Sequence, residues 1–262
     1  MSKKRADQLI QQFYPQFSRS KIQTLIQKKK ILVKINDQPQ LIKKASDPFD
    51  SEIITKEHFE FLPDEELEFV SRGALKLKKA LDKFEINLEN KICMDVGLST
   101  GGFSDIMLKR GALKVLGIDV GKEQLHQSLK SNEKLMAFDK VNARYPIDED
   151  ILNQFFSESA KEFDFIAIDV SFISLSLIIP NIIKYLKQIS VLVCLVKPQF
   201  ELSRGDLNNK GVVKDPQKAL SVLEKTIELL KDNGIKQLKH CESPIEGDNG
   251  NKEFLIASFL SN

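Results

Sequence analysis

The chain has 262 residues, of which 42% are hydrophobic and 29% charged, an ordinary balance for one large globular domain or a medium domain joined to a small one. The formal net charge of +2 hides an asymmetry: residues 1–44 carry eleven Lys/Arg and two Asp/Glu, or +9, whereas the remainder carries 28 and 35, or −7. Cys93, Cys194 and Cys241 are too far apart for a disulfide framework or a zinc site. No apolar stretch follows the Met1-Ser-Lys-Lys-Arg5 start and no apolar run is long enough to cross a bilayer. The expectation is a soluble cytoplasmic protein that requires no metal and no membrane.

In chain order, Arg5 to Phe13 reads as an amphipathic helix with Leu9, Ile10 and Phe13 on one face. Tyr14-Pro15 ends it. Ser18 caps a second helix whose Ile22, Leu25 and Ile26 face a core, while Arg19, Lys21, Lys28, Lys29 and Lys30 point outward. Strand-like runs follow at Ile31–Ile35, Gln40–Ile42 and Glu52–Thr55, with a turn at Asn36-Asp37. Arg5-Ala-Asp7-Gln-Leu9, Ser18-Arg19-Ser20-Lys21 and the lysine-rich turn into Val33-Lys-Ile35-Asn36 resemble the alpha-L, or S-four, RNA-binding domain. That resemblance implies phosphate contacts from Arg5, Arg19, Lys21, Lys28, Lys29 and Lys30. A basic patch suffices for such non-specific attraction, and the alternative is a solvated basic face on a packing module.

Phe59 to Val70 is acidic and contains Pro63, as a linker does. Ser71-Arg72-Gly73 then opens a helix to about Phe84, on whose polar side Lys76 falls; spacing alone makes Lys76 a surface lysine. The expected domains are therefore 1–60, a linker at 61–70, and 71–262.

In Lys91–Phe103 an apolar run breaks into the loop Asp95-Val-Gly97-Leu-Ser99-Thr100-Gly101-Gly102-Phe103 and then a helical pattern. A loop ending at a helix N-terminus offers unpaired N–H groups to a carboxylate or phosphate, and glycine permits close approach. The spacing matches neither G-x-G-x-x-G nor a P-loop. A second strand, Lys114–Asp119, ends in an acid about twenty residues on, where such folds bind a ribose. Loop and acid together suit S-adenosylmethionine; the alternative is a plain strand-turn-helix.

Strands Leu135–Phe138, Phe163–Asp169, Val191–Val196 and Glu253–Leu260 alternate with helices near Ile151–Phe156, Leu175–Leu186 and Gln217–Leu230. That order implies a mostly parallel sheet covered on both faces, with ligands at the carboxyl ends of its strands. Asp169 and Lys197 each close an apolar run, where a charge is seldom placed for solubility; a structural ion pair is the alternative.

The motifs Val70-Ser-Arg-Gly73, Asp95–Phe103, Asn142-Ala-Arg144-Tyr145, Ile168-Asp169-Val-Ser-Phe-Ile-Ser174, Leu195-Val-Lys197-Pro-Gln-Phe-Glu201, Gly211-Val-Val-Lys-Asp215 and Gly250-Asn-Lys-Glu253-Phe together resemble the TlyA "hemolysin" family. Its members join an alpha-L domain to an FtsJ-like methyltransferase. The resemblance covers nearly the whole chain and implies an α/β fold: a Rossmann-like methyltransferase domain with a mostly parallel sheet, preceded by a small α+β RNA-binding domain. It further implies 2′-O-methylation of ribose in ribosomal RNA or ribosomal subunits, with cytidine the usual target.

The family's Lys-Asp-Lys-Glu catalytic set falls on Lys76, Asp169, Lys197 and Glu253. The cofactor contacts fall on Asp95, Gly97, Ser99, Thr100, Gly101, Gly102, Phe103, Asp119, Asn142 and Asp169, and Arg72 and Arg144 join the RNA-binding set. Lys197 is the expected base, which a lysine can be only when desolvation and a nearby cation weaken its hold on the proton. Asp169 is expected to orient it and Glu253 to hold Lys76. Competing readings are a non-catalytic ribosome-assembly factor, a membrane-lytic protein, and a methyltransferase acting on a protein or small molecule.

Overall fold

The computed structural model describes residues 3–157 and 160–260. Its contacts divide the chain into residues 1–72 and 73–262. The first unit contains β1 (Lys3–Arg5), α1 (Ala6–Phe13), α2 (Arg19–Gln27), β2 (Ile31–Ile35), β3 (Gln38–Leu41), β4 (Pro48–Asp50), β5 (Phe59–Phe61) and α3 (Glu65–Glu68). Strands β3-β2-β5 form an antiparallel sheet and β1 pairs with β4. Leu9, Ile10, Ile22, Leu25, Ile26 and Phe59 form its core.

Local chemistry accounts for the elements. Ser18 accepts the Lys21 amide at 3.2 Å to cap α2. Asn36 and Asp37, at φ 52° and 63°, make the positive-φ hairpin turn that joins β2 to β3 with the twist its strands need. The expected strand at Glu52–Thr55 is a turn instead, because the Asp50 carboxylate takes the Glu52 amide at 3.0 Å; the strand is Pro48–Asp50.

Residues 61–70 are not a free linker. The Leu62 amide donates to the Lys30 carbonyl at 2.8 Å, Lys30 Nζ reaches the Pro63 carbonyl at 2.8 Å, and Phe69 is buried. The boundary consequently falls at 72/73.

The second unit contains α4 (Gly73–Lys83), β6 (Ile92–Val96), α5 (Gly102–Lys109), β7 (Lys114–Asp119), β8 (Leu135–Asp139), α6 (Glu149–Phe156), β9 (Phe163–Ile168), α7 (Ile179–Ile182), β10 (Leu186–Val196), α8 (Pro216–Asp232), β11 (Gln237–Glu242) and β12 (Phe254–Leu260). Its sheet has the order β11-β12-β10-β9-β6-β7-β8. The run from β10 to β8 is parallel, and β12 is antiparallel to both neighbours. The chain reverses its direction of winding between β6 and β9, the crevice where open α/β sheets bind ligands.

Buried runs such as Phe165–Ile168 and Leu192–Val196 explain the central strands. The helix expected over Leu175–Leu186 is broken into a 3₁₀ turn, the four residues of α7 and a second 3₁₀ turn. Pro180 removes an amide there and so fixes a new helix start. Strand β11 was not evident because only Cys241 of its six residues is buried. Among the described residues no helix is long and apolar enough to cross a membrane.

Candidate active site

The loops leaving β6, β7, β8 and β9 enclose a cleft of about 510 Å³. Its walls include Gly97, Ser99, Asp119, Asn142 and Asp169, with Ile118, Val141 and Ile178 giving it apolar surface. The volume and mixed lining are those of a small-molecule site.

Backbone contacts hold this mouth together. The Asp169 amide donates to the Val96 carbonyl at 2.8 Å, and the Gly97 amide to that of Ile118 at 2.9 Å. Gly97 has φ 93°, and a Cβ there would stand 2.1 Å from the Asp169 carbonyl oxygen, so only glycine lets the two loops meet. The Asp119 carboxylate accepts the Ser99 amide at 2.8 Å and the Gly121 amide at 2.6 Å. It thereby fixes two loops while presenting an anion to the cleft.

Other residues expected to contact a cofactor lie elsewhere. Asp95 is fully buried and its Oδ2 accepts the Ser104 amide at 2.9 Å and hydroxyl at 2.7 Å, which ties β6 to the first turn of α5. Burial pushes its carboxyl up to about 7; the Ser104 hydrogen bonds oppose that shift, and the Asp169 charge adds to it. Gly101 caps α5 at φ 89° and abuts Leu125 and Leu129. Gly102 and Phe103 are buried, Thr100 is exposed, and none of these five lines the cleft.

Beside the cleft stand two ion pairs. Lys197 Nζ lies 2.5 Å from Asp169 Oδ1 and 3.0 Å from Ser171 Oγ. Lys76 Nζ lies 2.6 Å from Glu253 Oε2, their side chains only 11% and 2% exposed. The carboxylate of Glu253 is backed by Gly247, where a Cβ would meet Oε1 at 2.0 Å, and Gln199 Nε2 approaches Oε1 at 3.4 Å.

Sequence reasoning missed Phe172, Phe200 and Glu201. Phe172 is 90% exposed at φ 63°, an uncommon conformation for a bulky side chain, and its ring centroid is 4.8 Å from that of Phe200. Glu201 accepts the Ser174 hydroxyl at 2.5 Å and the Leu175 amide at 2.8 Å, joining the β9 and β10 exit loops. An exposed aromatic inside a motif was the available signal.

The basic residues separate into three kinds. Arg5 and Arg19 both pair with the buried Asp7. Burial by itself raises the Asp7 carboxyl, but hydrogen bonds from Arg5, Arg19 and Gln23 outweigh it and hold the group well below the usual carboxylate range. Lys21, expected to point outward, is buried: its Nζ donates to the Phe69 carbonyl at 2.6 Å and lies 4.9 Å from the Phe17 ring centroid. Its stem packs inward because the amphipathic stripe of α2 is wider than its apolar residues. Lys28 and Lys30 pair with Asp64, and Arg72 donates to Thr24 Oγ1 at 3.3 Å. Lys29 and Arg144 are exposed, Lys29 at φ 59° in the turn after α2.

Residues 69–259 match the FtsJ-like methyltransferase family. The chain is 40% identical over 189 residues to Hemolysin A of Brachyspira hyodysenteriae, spanning 72% of this chain and 76% of that protein. It is 37% identical over 194 residues to the 16S/23S rRNA (cytidine-2'-O)-methyltransferase TlyA of Mycobacterium tuberculosis, spanning 74% and 69% of the two. A solved structure from Streptococcus thermophilus that carries the hemolysin name superposes with a TM-score of 0.70 at 35% identity, covering 100% of this chain and 90% of that one.

Proposed function

This chain belongs to the FtsJ-like methyltransferase family, and from that premise we propose that it methylates a ribose 2′-hydroxyl of ribosomal RNA, using S-adenosylmethionine and acting on a cytidine of the 16S or 23S species. The observation that carries the reading is the pairing of Lys197 with Asp169 and of Lys76 with Glu253 beside a cleft at the carboxyl end of a parallel sheet. A structural ion pair accounts for one such contact; two lysine–carboxylate pairs at one sheet end serve proton transfer better than solubility.

The cleft fits the cofactor. Asp119 supplies a ribose-binding anion, Gly97 clears the floor, and Ile118, Val141 and Ile178 give an adenine apolar surface. When bound, S-adenosylmethionine would supply an electrophilic methyl group on its sulfonium, with a thioether as the leaving group. Lys197 receives the proton of the ribose hydroxyl as that oxygen bonds to the methyl carbon, and Asp169 steadies the ammonium so formed. Lys76, held by Glu253, brings a second positive charge to the hydroxyl's surroundings. Much of the acceleration comes from aligning the hydroxyl, since positioning supplies roughly 7–11 kcal/mol in favourable systems. Phe172 offers its open face to an unstacked base of the RNA, as aromatic side chains do for unstacked nucleotides.

The test is transfer of labelled methyl from S-adenosylmethionine to purified small and large ribosomal subunits, with the modified nucleotide mapped and Lys197→Ala as control. Label on a 2′-O-methylcytidine, lost in the variant, is the expected result. Absence of label on both subunits refutes the proposal.

A further inference from the structure

Lys197 has a second side-chain partner that the four charged residues do not include. Its Nζ lies 3.0 Å from Ser171 Oγ as well as 2.5 Å from Asp169 Oδ1. Ser171 is exposed, lies in no helix or strand, and lines the cleft. The segment that bears it is fixed at both ends: the Asp169 amide is bonded to the Val96 carbonyl, and Ser174 and Leu175 are bonded to Glu201. Phe172, next in the chain, rests against Phe200. The Ser171 hydroxyl is thus presented to Lys197 by a loop whose conformation other residues set.

We propose that Ser171 is a positioning residue for proton transfer, aiming the Lys197 amine at the ribose hydroxyl. This rests on the reading of Lys197 as the base. A neutral lysine amine has two N–H bonds and one lone pair around a tetrahedral nitrogen. With one N–H given to Ser171 Oγ and the nitrogen drawn to within 2.5 Å of Asp169 Oδ1, the lone pair is left the open side of the amine. The hydroxyl proton arrives there as the oxygen–methyl bond forms, and the resulting ammonium keeps both anchors before it releases that proton to solvent. Without Ser171 the amine is held at one point and turns about its last carbon–nitrogen bond among staggered positions, so the lone pair is misdirected for part of the time.

The experiment compares Ser171→Ala, Ser171→Thr and Lys197→Ala with the wild-type chain, on the ribosomal subunit that accepts methyl. Single-turnover rate, KM for the subunit and calorimetric Kd for S-adenosylmethionine are measured. Ser171→Ala is expected to slow the single-turnover rate about tenfold, the scale of a modest loss of alignment, with KM and Kd within about twofold of wild type. Ser171→Thr, which keeps the hydroxyl, restores most of the rate. A purely structural role predicts a different pattern, because loosening this loop disturbs cleft-lining Val170 and Phe172 and raises Kd as well. Wild-type speed in Ser171→Ala, or a rate loss matched by an equal loss of cofactor affinity, overturns the inference and leaves Lys197 in place. Wild-type turnover in Lys197→Ala overturns the base assignment and Ser171's role with it.

Discussion

Lys76 Nζ meets Glu253 Oε2 at 2.6 Å across 177 positions of sequence, and Gly247 lies so close behind Glu253 that a methyl group would sit 2.0 Å from Oε1. The backbone at Gly247 has φ −70°, which any residue adopts, so an added methyl acts on the carboxylate alone. Gly247→Ala is expected to displace Glu253, free Lys76 and lower turnover by tenfold or more, on the order of the loss from misplacing a catalytic group. Gly205→Ala is the control, since its nearest contact would be Ser203 Oγ at 3.8 Å. Equal turnover in the two variants, measured on the same subunit, would disprove the steric argument.

Asp119 accepts both the Ser99 and the Gly121 amide, so its removal costs the cleft an anion and the order of two loops at once. Asp119→Ala is expected to weaken S-adenosylmethionine by roughly 10–100-fold, the loss of one or two charge-assisted hydrogen bonds. Asp119→Asn, which keeps one acceptor oxygen, is expected to fall between. Titration calorimetry decides the matter: unchanged affinity in Asp119→Ala would remove Asp119 from the cofactor site.

Asp95 gives a pH dependence with a definite sign. Its carboxyl is raised to about 7 when folded, against about 3.9 in an unfolded chain. Between those values the unfolded state releases a proton that the folded state keeps, so stability falls as pH rises through the window and levels off above it. Asp95→Asn keeps an oxygen for the Ser104 amide and does not titrate. Its stability relative to wild type is therefore expected to improve from pH 4 to pH 7, by a few kcal/mol at the order-of-magnitude level. Urea unfolding at pH 4.5, 6 and 7.5 reads this directly, and a pH-independent difference would contradict it.

The alternation of buried strands with helices made the second unit's sheet legible, because central parallel strands are continuous apolar runs and each ends where the chain must turn. The place of the Gly97 loop and of Asp119 at the ends of β6 and β7 was legible for the same reason. Lys76 was legible only through the family resemblance, since helical spacing placed it on a polar face and its partner lies on a loop 177 residues away. Asp95 was less so: it sits beside the cleft in sequence, yet it is fully buried and its Oδ2 is taken by Ser104 inside the core. Phe172 is carried by a positive φ that no propensity foretells, and Lys21 is buried through a long stem that binary patterning counts as polar.

The contrast between Lys21 and Lys29 separates fold from RNA affinity in the first unit. Lys21 is 4% exposed and its ammonium is bonded to the Phe69 carbonyl, whereas Lys29 is exposed in the turn after α2. A lysine on a phosphate releases counterions, and each such contact steepens the fall of log K with log salt by about 0.9 on a duplex or 0.7 on a single strand. Lys29→Ala is accordingly expected to weaken ribosomal RNA binding and flatten that slope by about one contact, with the unfolding midpoint unchanged. Lys21→Ala is expected to leave the slope intact and lower the midpoint, because a buried ammonium bonded to the Phe69 carbonyl and set against the Phe17 ring is removed. Fluorescence anisotropy across a salt series, paired with thermal unfolding, distinguishes the two variants; a flattened slope in Lys21→Ala would show that this buried ammonium reaches phosphate after all.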